Sequence, residues 1–98
     1  KVKGFQVAPA ELEATLLAHP AVTDAAVIGV PDDDSGEVPM AFVVAAAGNA
    51  PSLQDIQAFF EGRLAHYKQI RHLRVVETVP KSPSGKILRR QLRDEIGI

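Results

Sequence analysis

The sequence predicts an α+β domain in which helices flank a small mixed or antiparallel sheet, in the order β-α-β-β-α-β-α. Two valine-rich runs, "VTDAAVIGV" and "VPMAFVVAA", are separated by the turn-forming stretch "PDDDSGE", which predicts two adjacent, buried antiparallel strands. Helix start signals lie on either side of this pair, at Pro9 and Ser52. A chain of 98 residues that is 46% hydrophobic can bury one core, so residues 1–98 are expected to form one domain.

The first predicted elements are a short strand and a helix. "FQV" (5–7) has the composition of a strand. Pro9 is expected at the first helical position, with Glu11 and Glu13 in the first turn, where the helix dipole favours anions. Pro20 stops the helix. Its predicted apolar stripe is Leu12, Leu16 and Leu17.

The later elements are two helices around a third strand. Ser52 and Asp55 approximate a capping box at the start of the second helix. "IRHLRVVETV" (70–79) predicts the third strand, and Gly97 follows the end of the last helix. The predicted apolar positions are Leu53, Ile56, Phe59, Phe60 and Leu64 in one helix, and Leu88, Leu92 and Ile96 in the other.

Composition and spacing argue against several classes of protein. The apolar runs are far shorter than the roughly 20 residues of a membrane span, and no secretory leader is recognisable, so a cytoplasmic protein without a membrane span is expected. The chain has no cysteine, which excludes disulfides and thiolate chemistry. No metal site is expected, because the histidines lack ligand spacing and the acidic run 32–34 does not fit a calcium loop. No serine lies in a glycine elbow.

The charges divide the chain into two halves. Residues 1–61 carry two basic and nine acidic side chains, whereas residues 62–98 carry nine basic and three acidic ones. The second half is therefore a candidate surface for a phosphate-bearing partner, although a basic face can also serve solvation alone. Nucleic acid is disfavoured as that partner, because the chain has five aromatic residues and no stacking platform on the third strand.

The stretch "PKSPSGK" (80–86) places one lysine behind a stiff, proline- and glycine-containing loop. It is not a phosphate-binding P-loop, because Pro80 takes the place of the first glycine and Ile87 follows the lysine. What remains is a single ammonium, Lys86, positioned by Pro83 and Gly85 near a helix start. Such a point charge suits an oxyanion that changes during a reaction, and the alternative is a solvated loop lysine.

Three stretches in order, "KVKGFQVAPAELE", "GVPDDDSGEVPMAFVV" and "YKQIRHLRVVETVPKSPSGKILRRQLR", resemble the C-terminal domain of adenylate-forming enzymes. The resemblance covers nearly the whole chain and is greatest to acyl- and aryl-CoA synthetases of the 4-coumarate:CoA ligase and luciferase type. It implies that a carboxylic acid is activated with ATP and Mg²⁺ to an acyl-adenylate, and that the acyl group then passes to CoA.

The resemblance also implies roles for particular residues. Lys86 corresponds to the lysine that contacts ATP and stabilises the adenylation transition state. Lys1 and Gln6 correspond to residues near the adenylate phosphate in the second half-reaction, and so belong with Lys86 to the ATP/AMP site. Lys3 and Gly4 correspond to positions that border the CoA tunnel. Without the resemblance, a turn glycine and an exposed strand residue would be the preferred interpretations of Gly4 and Gln6.

The resemblance further implies that residues 1–98 are a mobile lid that rotates between the two half-reactions. Its principal partner would be a large N-terminal domain, which would hold most of the ATP, Mg²⁺ and acid, and the fragment alone would be inactive. A lysine acetyltransferase acting on Lys86 is a further possible partner. Two alternatives stay open: the matching part of a carrier-protein-dependent adenylation domain, and a stand-alone nucleotide- or RNA-binding module.

Overall fold

The computed structural model describes residues 1–98 and consists of three α-helices, a 3₁₀ turn and a three-stranded sheet. The elements in chain order are α1 (Pro9–Leu17), β1 (Val22–Asp32), β2 (Gly36–Ala45), α2 (Leu53–Phe60), the 3₁₀ turn (His66–Lys68), β3 (His72–Val75) and α3 (Arg89–Glu95). The predicted α+β class with a mixed sheet is confirmed.

The centre of the fold is the long hairpin of β1 and β2. These strands pair antiparallel from Val22 opposite Ala45 to Asp32 opposite Gly36. The turn between them is closed by the Asp32 carboxylate, which accepts a hydrogen bond from the Ser35 amide at 3.0 Å. Strand β3 pairs parallel to β2, so the order is β1-β2-β3 and β1 is an edge strand.

The sheet is covered on both faces, which explains the continuous apolar runs in β1 and β2. Successive side chains of a strand point to opposite faces, and the buried residues accordingly divide into two clusters. One lies under α1 and α2: Leu12, Leu16, Val22, Ala25, Val27, Ala41, Val43, Ile56, Phe60 and Ile70. The other lies under α3: Ala26, Ile28, Val30, Val38, Phe42, Val79 and Leu92.

The capping box of α2 is present as predicted. The Ser52 hydroxyl accepts from the Asp55 amide at 3.1 Å, and the Asp55 carboxylate accepts from the Ser52 amide at 3.0 Å. Hydrogen bonds from the Ser52 backbone and side chain lower the pKa of Asp55. Gly97, just past α3, has a φ of 81°, which completes the predicted helix end.

Several sequence predictions were wrong in detail. "FQV" is not a strand, because the chain reverses at residues 3 and 4: Phe5 forms only an isolated bridge back to Val2, and residues 6 and 7 belong to no strand. The third strand is four residues long, whereas ten were predicted. Leu17 is exposed, since α1 ends there and its side chain lies off the buried stripe. Glu13 lies beyond the first turn and is buried.

Candidate functional site

Lys86 follows a three-residue hairpin connection formed by residues 83–85. The Ser82 amide donates to the Lys86 carbonyl at 2.8 Å, and the Gly85 amide donates to the Ser82 carbonyl at 2.9 Å. Pro83 is the second residue of the four-residue turn 82–85, and Gly85, its last residue, has a φ of 88°. A proline in second place and a left-handed glycine at the end of the turn are typical of a tight hairpin with a bulge. The lysine is thus carried on a conformationally restricted loop.

The surroundings of the Lys86 side chain leave its charge free. The residue is exposed, and its ammonium takes part in none of the four ion pairs of the chain. Its backbone is nevertheless fixed, because the Lys86 amide donates to the Ser82 hydroxyl at 3.1 Å. The loop therefore presents an unpaired positive charge on a defined backbone.

Two anchors fix this hairpin on the domain. At its base, Lys81 and Ile87 form a β-bridge, and the Leu88 amide donates to the Pro80 carbonyl at 2.9 Å. On one arm, the Lys81 ammonium lies 2.6 Å from a carboxylate oxygen of Asp24, near the start of β1. The loop is therefore in contact with the start of β1.

The second anchor follows the other arm, at the start of α3. The Arg89 Nη2 atom lies 2.7 Å from both carboxylate oxygens of Glu13, and Arg89 Nε donates to the Val27 carbonyl at 3.1 Å. Glu13 also accepts from the Val27 amide at 2.8 Å. Sequence reasoning missed this network. The sequence feature that could have indicated the network is Glu13, a carboxylate that lies between Leu12 and Leu16 on the helix that packs on the sheet.

A second exposed turn lies at residues 3 and 4. Lys3 and Gly4 have φ values of 49° and 82°, and Val2 and Phe5 exchange backbone hydrogen bonds of 2.9 and 2.8 Å around them. Two left-handed residues between a hydrogen-bonded pair are typical of a type I′ turn, which favours glycine in second place. The conformation alone therefore explains Gly4, as the turn interpretation expected.

The turn at residues 3 and 4 is held against the rest of the domain at two places. The Lys3 amide donates to the Ser35 carbonyl at 2.8 Å, which ties the turn to the β1–β2 connection. The Phe5 ring stacks on Tyr67 with 4.6 Å between ring centroids. A groove of about 400 Å³ lies beside the turn and is lined mainly by polar residues, among them Lys3 and Arg71.

The candidate residues fall into two groups at opposite ends of the β1–β2 hairpin. Lys1, Lys3, Gly4 and Gln6 are all exposed and belong to one segment, which contacts the chain next to Asp32. The hairpin that carries Lys86 is anchored at Asp24. Eight residues of extended strand separate Asp24 from Asp32, which corresponds to roughly 25 Å. The points at which the two groups are anchored therefore lie roughly 25 Å apart along the strand.

The remaining polar candidates have local structural partners. His19 accepts a hydrogen bond from the Ala21 amide at 3.0 Å through Nδ1, and the acidic run 32–34 forms the β1–β2 turn. The structure contains no group of three or more His, Cys, Asp or Glu side chains arranged to hold a metal ion. None of its helices has the length and apolar character needed to cross a membrane.

Residues 11–86 match the family model described as the AMP-binding enzyme C-terminal domain, and the chain belongs to this family. The resemblance inferred from the three motifs, to the C-terminal domain of adenylate-forming acyl- and aryl-CoA synthetases, is confirmed.

The similar curated proteins include plant CoA ligases. The chain is 61% identical to 4-coumarate–CoA ligase-like 9 of Oryza sativa over 97% of its own length, and 55% identical to 4-coumarate:CoA ligase 1 of Petunia hybrida over 95%. It spans only 17% of the length of each of these relatives.

Solved structures of bacterial synthetases have the same fold. An acyl-CoA synthetase of Brucella canis superposes with a TM-score of 0.88 at 36% identity, and covers 96% of this chain, which spans 18% of that protein. The o-succinylbenzoate CoA synthetase of Bacillus subtilis, solved with its acyl-adenylate intermediate, gives 0.87 at 38% identity over 95% of this chain and 19% of its own.

Proposed function

We propose that residues 1–98 form the mobile C-terminal lid of an AMP-forming acyl-CoA synthetase. A large N-terminal domain would be the lid's partner and would hold the acid, the adenine and most of the contacts to ATP and Mg²⁺. The lid would supply Lys86 for the first half-reaction and the segment 1–6 for the second. On this proposal the isolated lid has no activity.

The observation that carries the proposal is the unpaired ammonium of Lys86 on a tight, anchored hairpin. In adenylation, a carboxylate oxygen attacks the α-phosphorus of ATP, and the bond from that phosphorus to pyrophosphate breaks. Negative charge shifts among the phosphoryl oxygens as this happens. A fixed cation within hydrogen-bond reach stabilises that distribution more than the separated reactants, and Lys86 needs no proton transfer to do so.

In the second half-reaction, the CoA thiolate would attack the acyl carbon and AMP would leave. Lys1 and Gln6 would contact the adenylate phosphate, and Lys3 and Gly4 would border the pantetheine arm. Gly4 meets no atom within 4 Å of the position that a Cβ would occupy, so the backbone at this turn is open to a ligand. The exposed turn and the polar groove beside it support this assignment.

The separation of the two groups supports a rotating lid. Because the two groups are anchored at opposite ends of β1, roughly 25 Å apart along the strand, on a sheet that is packed on both faces, the domain would turn as a rigid body to present first one and then the other. Such a reorientation is an established way in which enzymes gate successive steps.

The comparisons favour CoA over a carrier protein as acceptor, since the relatives and structures described above are named as CoA ligases or acyl-CoA synthetases. The acid would be an aryl or a fatty acid, the two classes that the names of similar proteins suggest. A cytoplasmic location stays a prediction, because one relative is named as a peroxisomal ligase. Activity with CoA but not with a carrier protein that bears a free phosphopantetheine thiol would decide the acceptor.

The exposure of Lys86 also supports the proposal that an acetyltransferase modifies it. Acetylation would remove the charge while leaving the hairpin backbone unchanged. Incubation of the complete synthetase with an acetyltransferase and acetyl-CoA, which would transfer its acetyl group to the lysine amine and leave as CoA, should then lower the adenylation rate in proportion to the Lys86 modification found by mass spectrometry.

The test is Lys86→Ala in the complete synthetase, with the two half-reactions measured separately. Adenylation, followed as pyrophosphate release, should fall by about 10²- to 10³-fold, which is the usual cost of removing one transition-state donor. Thioester formation from supplied acyl-adenylate and CoA should change little. Arg90→Ala is the matched control, because Arg90 is an exposed, unpaired cation of the same segment.

Two outcomes would contradict the proposal. Equal losses in both half-reactions for Lys86→Ala would remove the assigned role, and equal effects of Lys86→Ala and Arg90→Ala would show that only overall charge matters. Salt-sensitive RNA binding that both substitutions weaken would instead favour the nucleic-acid alternative.

A further inference from the structure

We infer that Arg89 is a positioning residue for Lys86, and that it acts through Glu13 and the backbone of Val27. The inference rests on the proposed role of Lys86 in adenylation. It concerns a different group, which contacts no substrate, and a different mechanism, which is the fixation of the segment that carries the ammonium.

Both backbone hydrogen-bonding groups of Val27 in β1 bond to side chains. Its amide donates to Glu13 and its carbonyl accepts from Arg89, so both backbone groups point away from the sheet at the open edge of β1. In an interior strand a neighbouring strand would pair these groups, whereas at an edge they stay open unless side chains or solvent reach them. Here a carboxylate from α1 and a guanidinium from α3 take the place of that strand, and they also bond to each other.

The resulting ring of hydrogen bonds is partly shielded from solvent, most of all at Glu13. The Glu13 side chain is 10% exposed and the Arg89 side chain 33% exposed. The ring has three contacts: Glu13 with the Val27 amide, Arg89 with the Val27 carbonyl, and Arg89 with Glu13. These contacts depend on one another, because loss of either side chain would leave a buried polar partner unsatisfied. Only a guanidinium can bond to both Glu13 and Val27 at once, since it offers several donors in a planar fork.

The connection from this ring to Lys86 is short. Only Ile87 and Leu88 separate Lys86 from Arg89, and Leu88 is tied back to Pro80 at the hairpin base. Helix α3 has seven residues, which is too short for a helix to be stable without tertiary contacts. The Arg89 ring holds the N-terminus of this helix and the burial of Leu92 holds its middle, and the hairpin is joined to that N-terminus.

This arrangement makes a prediction that a purely stabilising ion pair would not make. If Arg89 only stabilised the fold, its loss would reduce both half-reactions through the fraction of folded protein. If Arg89 positions Lys86, adenylation should fall while thioester formation, which uses the turn at the far end of the β1–β2 hairpin, should persist. The ratio of the two rates separates the interpretations.

The experiment compares Arg89→Gln, Arg89→Lys and Glu13→Ala in the complete synthetase. We expect Arg89→Gln and Glu13→Ala to lower the kcat of adenylation by about 10- to 100-fold, the loss that displacement of a reacting group by about 1 Å can cause. The KM for ATP and the thioester step should change less than about threefold. Arg89→Lys should recover part of the rate, because an ammonium can keep the Glu13 contact but not the Val27 bond as well.

Glu11→Ala is the matched control for Glu13→Ala. Both substitutions remove a glutamate from α1 and break an ion pair, but Glu11 pairs with Lys68 at 2.8 Å, away from the Lys86 hairpin. The control should leave the ratio of the half-reaction rates unchanged. Melting temperatures of all variants show whether folded protein is being compared.

Lys86→Ala is measured in the same series, so that failure of the two ideas can be told apart. If Lys86→Ala affects adenylation selectively but Arg89→Gln lowers both steps equally, or neither, the positioning role is overturned and the proposed function survives. If Lys86→Ala lowers adenylation and thioester formation equally, the proposed role of Lys86 is overturned, and with it the positioning role that depends on it. An Arg89→Gln protein that is too unstable to assay leaves Arg89→Lys and Glu13→Ala to decide, and equal losses in both steps for these two would overturn the inference.

Discussion

Leu92 is the residue on which the attachment of α3 depends most, and Leu92→Ala should test that dependence. Its side chain is 1% exposed and is the one buried residue of the helix. It packs in the cluster with Phe42 and Val79 beneath α3. Truncation removes this contact and leaves a cavity, at a cost of about 2 to 5 kcal/mol. Because α3 is a short surface helix that can settle partly into the space, we expect about 3 kcal/mol.

This loss of unfolding free energy should be measurable both for the whole domain and for α3 alone. A change of about 3 kcal/mol corresponds to a fall in melting temperature of roughly 12 to 24 °C for a domain of this size. It is smaller than the 5 to 15 kcal/mol that usually separates folded from unfolded states, so the domain should stay folded at 25 °C. Urea unfolding gives the magnitude, and hydrogen exchange should show the amides of α3 opening before those of β2.

Leu88→Ala provides the matched comparison. It removes the same atoms one turn earlier, but Leu88 is 37% exposed, so about 1 kcal/mol should be lost. If the two substitutions shifted the urea midpoint equally, or if Leu92→Ala cost less than about 1 kcal/mol, the second cluster would not be what holds α3 on the sheet.

Three further predictions concern the loops and one helix end. Gly85→Ala should cost about 1 to 2 kcal/mol, because a φ of 88° strains any residue with a Cβ, and it should slow pyrophosphate release; an unchanged rate would argue against a restricted loop. Tyr67→Ala should slow thioester formation by about 2- to 10-fold through loss of the stack on Phe5, and Tyr67→Phe should restore it; the reasoning fails if Tyr67→Phe is equally slow. Asp55→Asn should lower the urea midpoint at pH 7 but progressively less below about pH 4: the hydrogen bonds from Ser52 depress the pKa of Asp55, so its contribution is present above the unfolded pKa and is lost as the pH falls through the folded pKa. A pH-independent difference would contradict that last argument.

The sequence predicted most of the secondary structure where local signals and burial agreed. The pairing of β1 with β2 followed from two apolar runs around an acidic turn, and the start of α2 followed from Ser52 and Asp55. The prediction failed for residues 5–7, because their apolar composition carries no information about a partner strand. It also overestimated β3, because an apolar composition does not show how far the pairing extends, and only His72–Val75 pair with β2.

In the candidate site too, local features could be predicted from the sequence and contacts between distant segments could not. Proline and glycine around Lys86 indicated a restricted loop, and the structure shows a tight hairpin there. By contrast, nothing local joined Glu13 to Arg89, which are 76 residues apart, or Phe5 to Tyr67. Such contacts depend on how α1, α3 and the 3₁₀ turn are placed around the sheet, and that placement is a property of the whole chain.

By itself, the sequence determined the family, the two apolar strands and the residue types presented at both exposed loops, because these depend on composition, spacing and short-range backbone preferences. Only the tertiary structure decided that the loops are anchored at opposite ends of one hairpin, and that a partly exposed guanidinium and a buried carboxylate close the open edge of β1. The physical reason is that backbone groups at a strand edge must find hydrogen-bond partners, and which side chains reach them depends on the packing of elements that are distant in the chain.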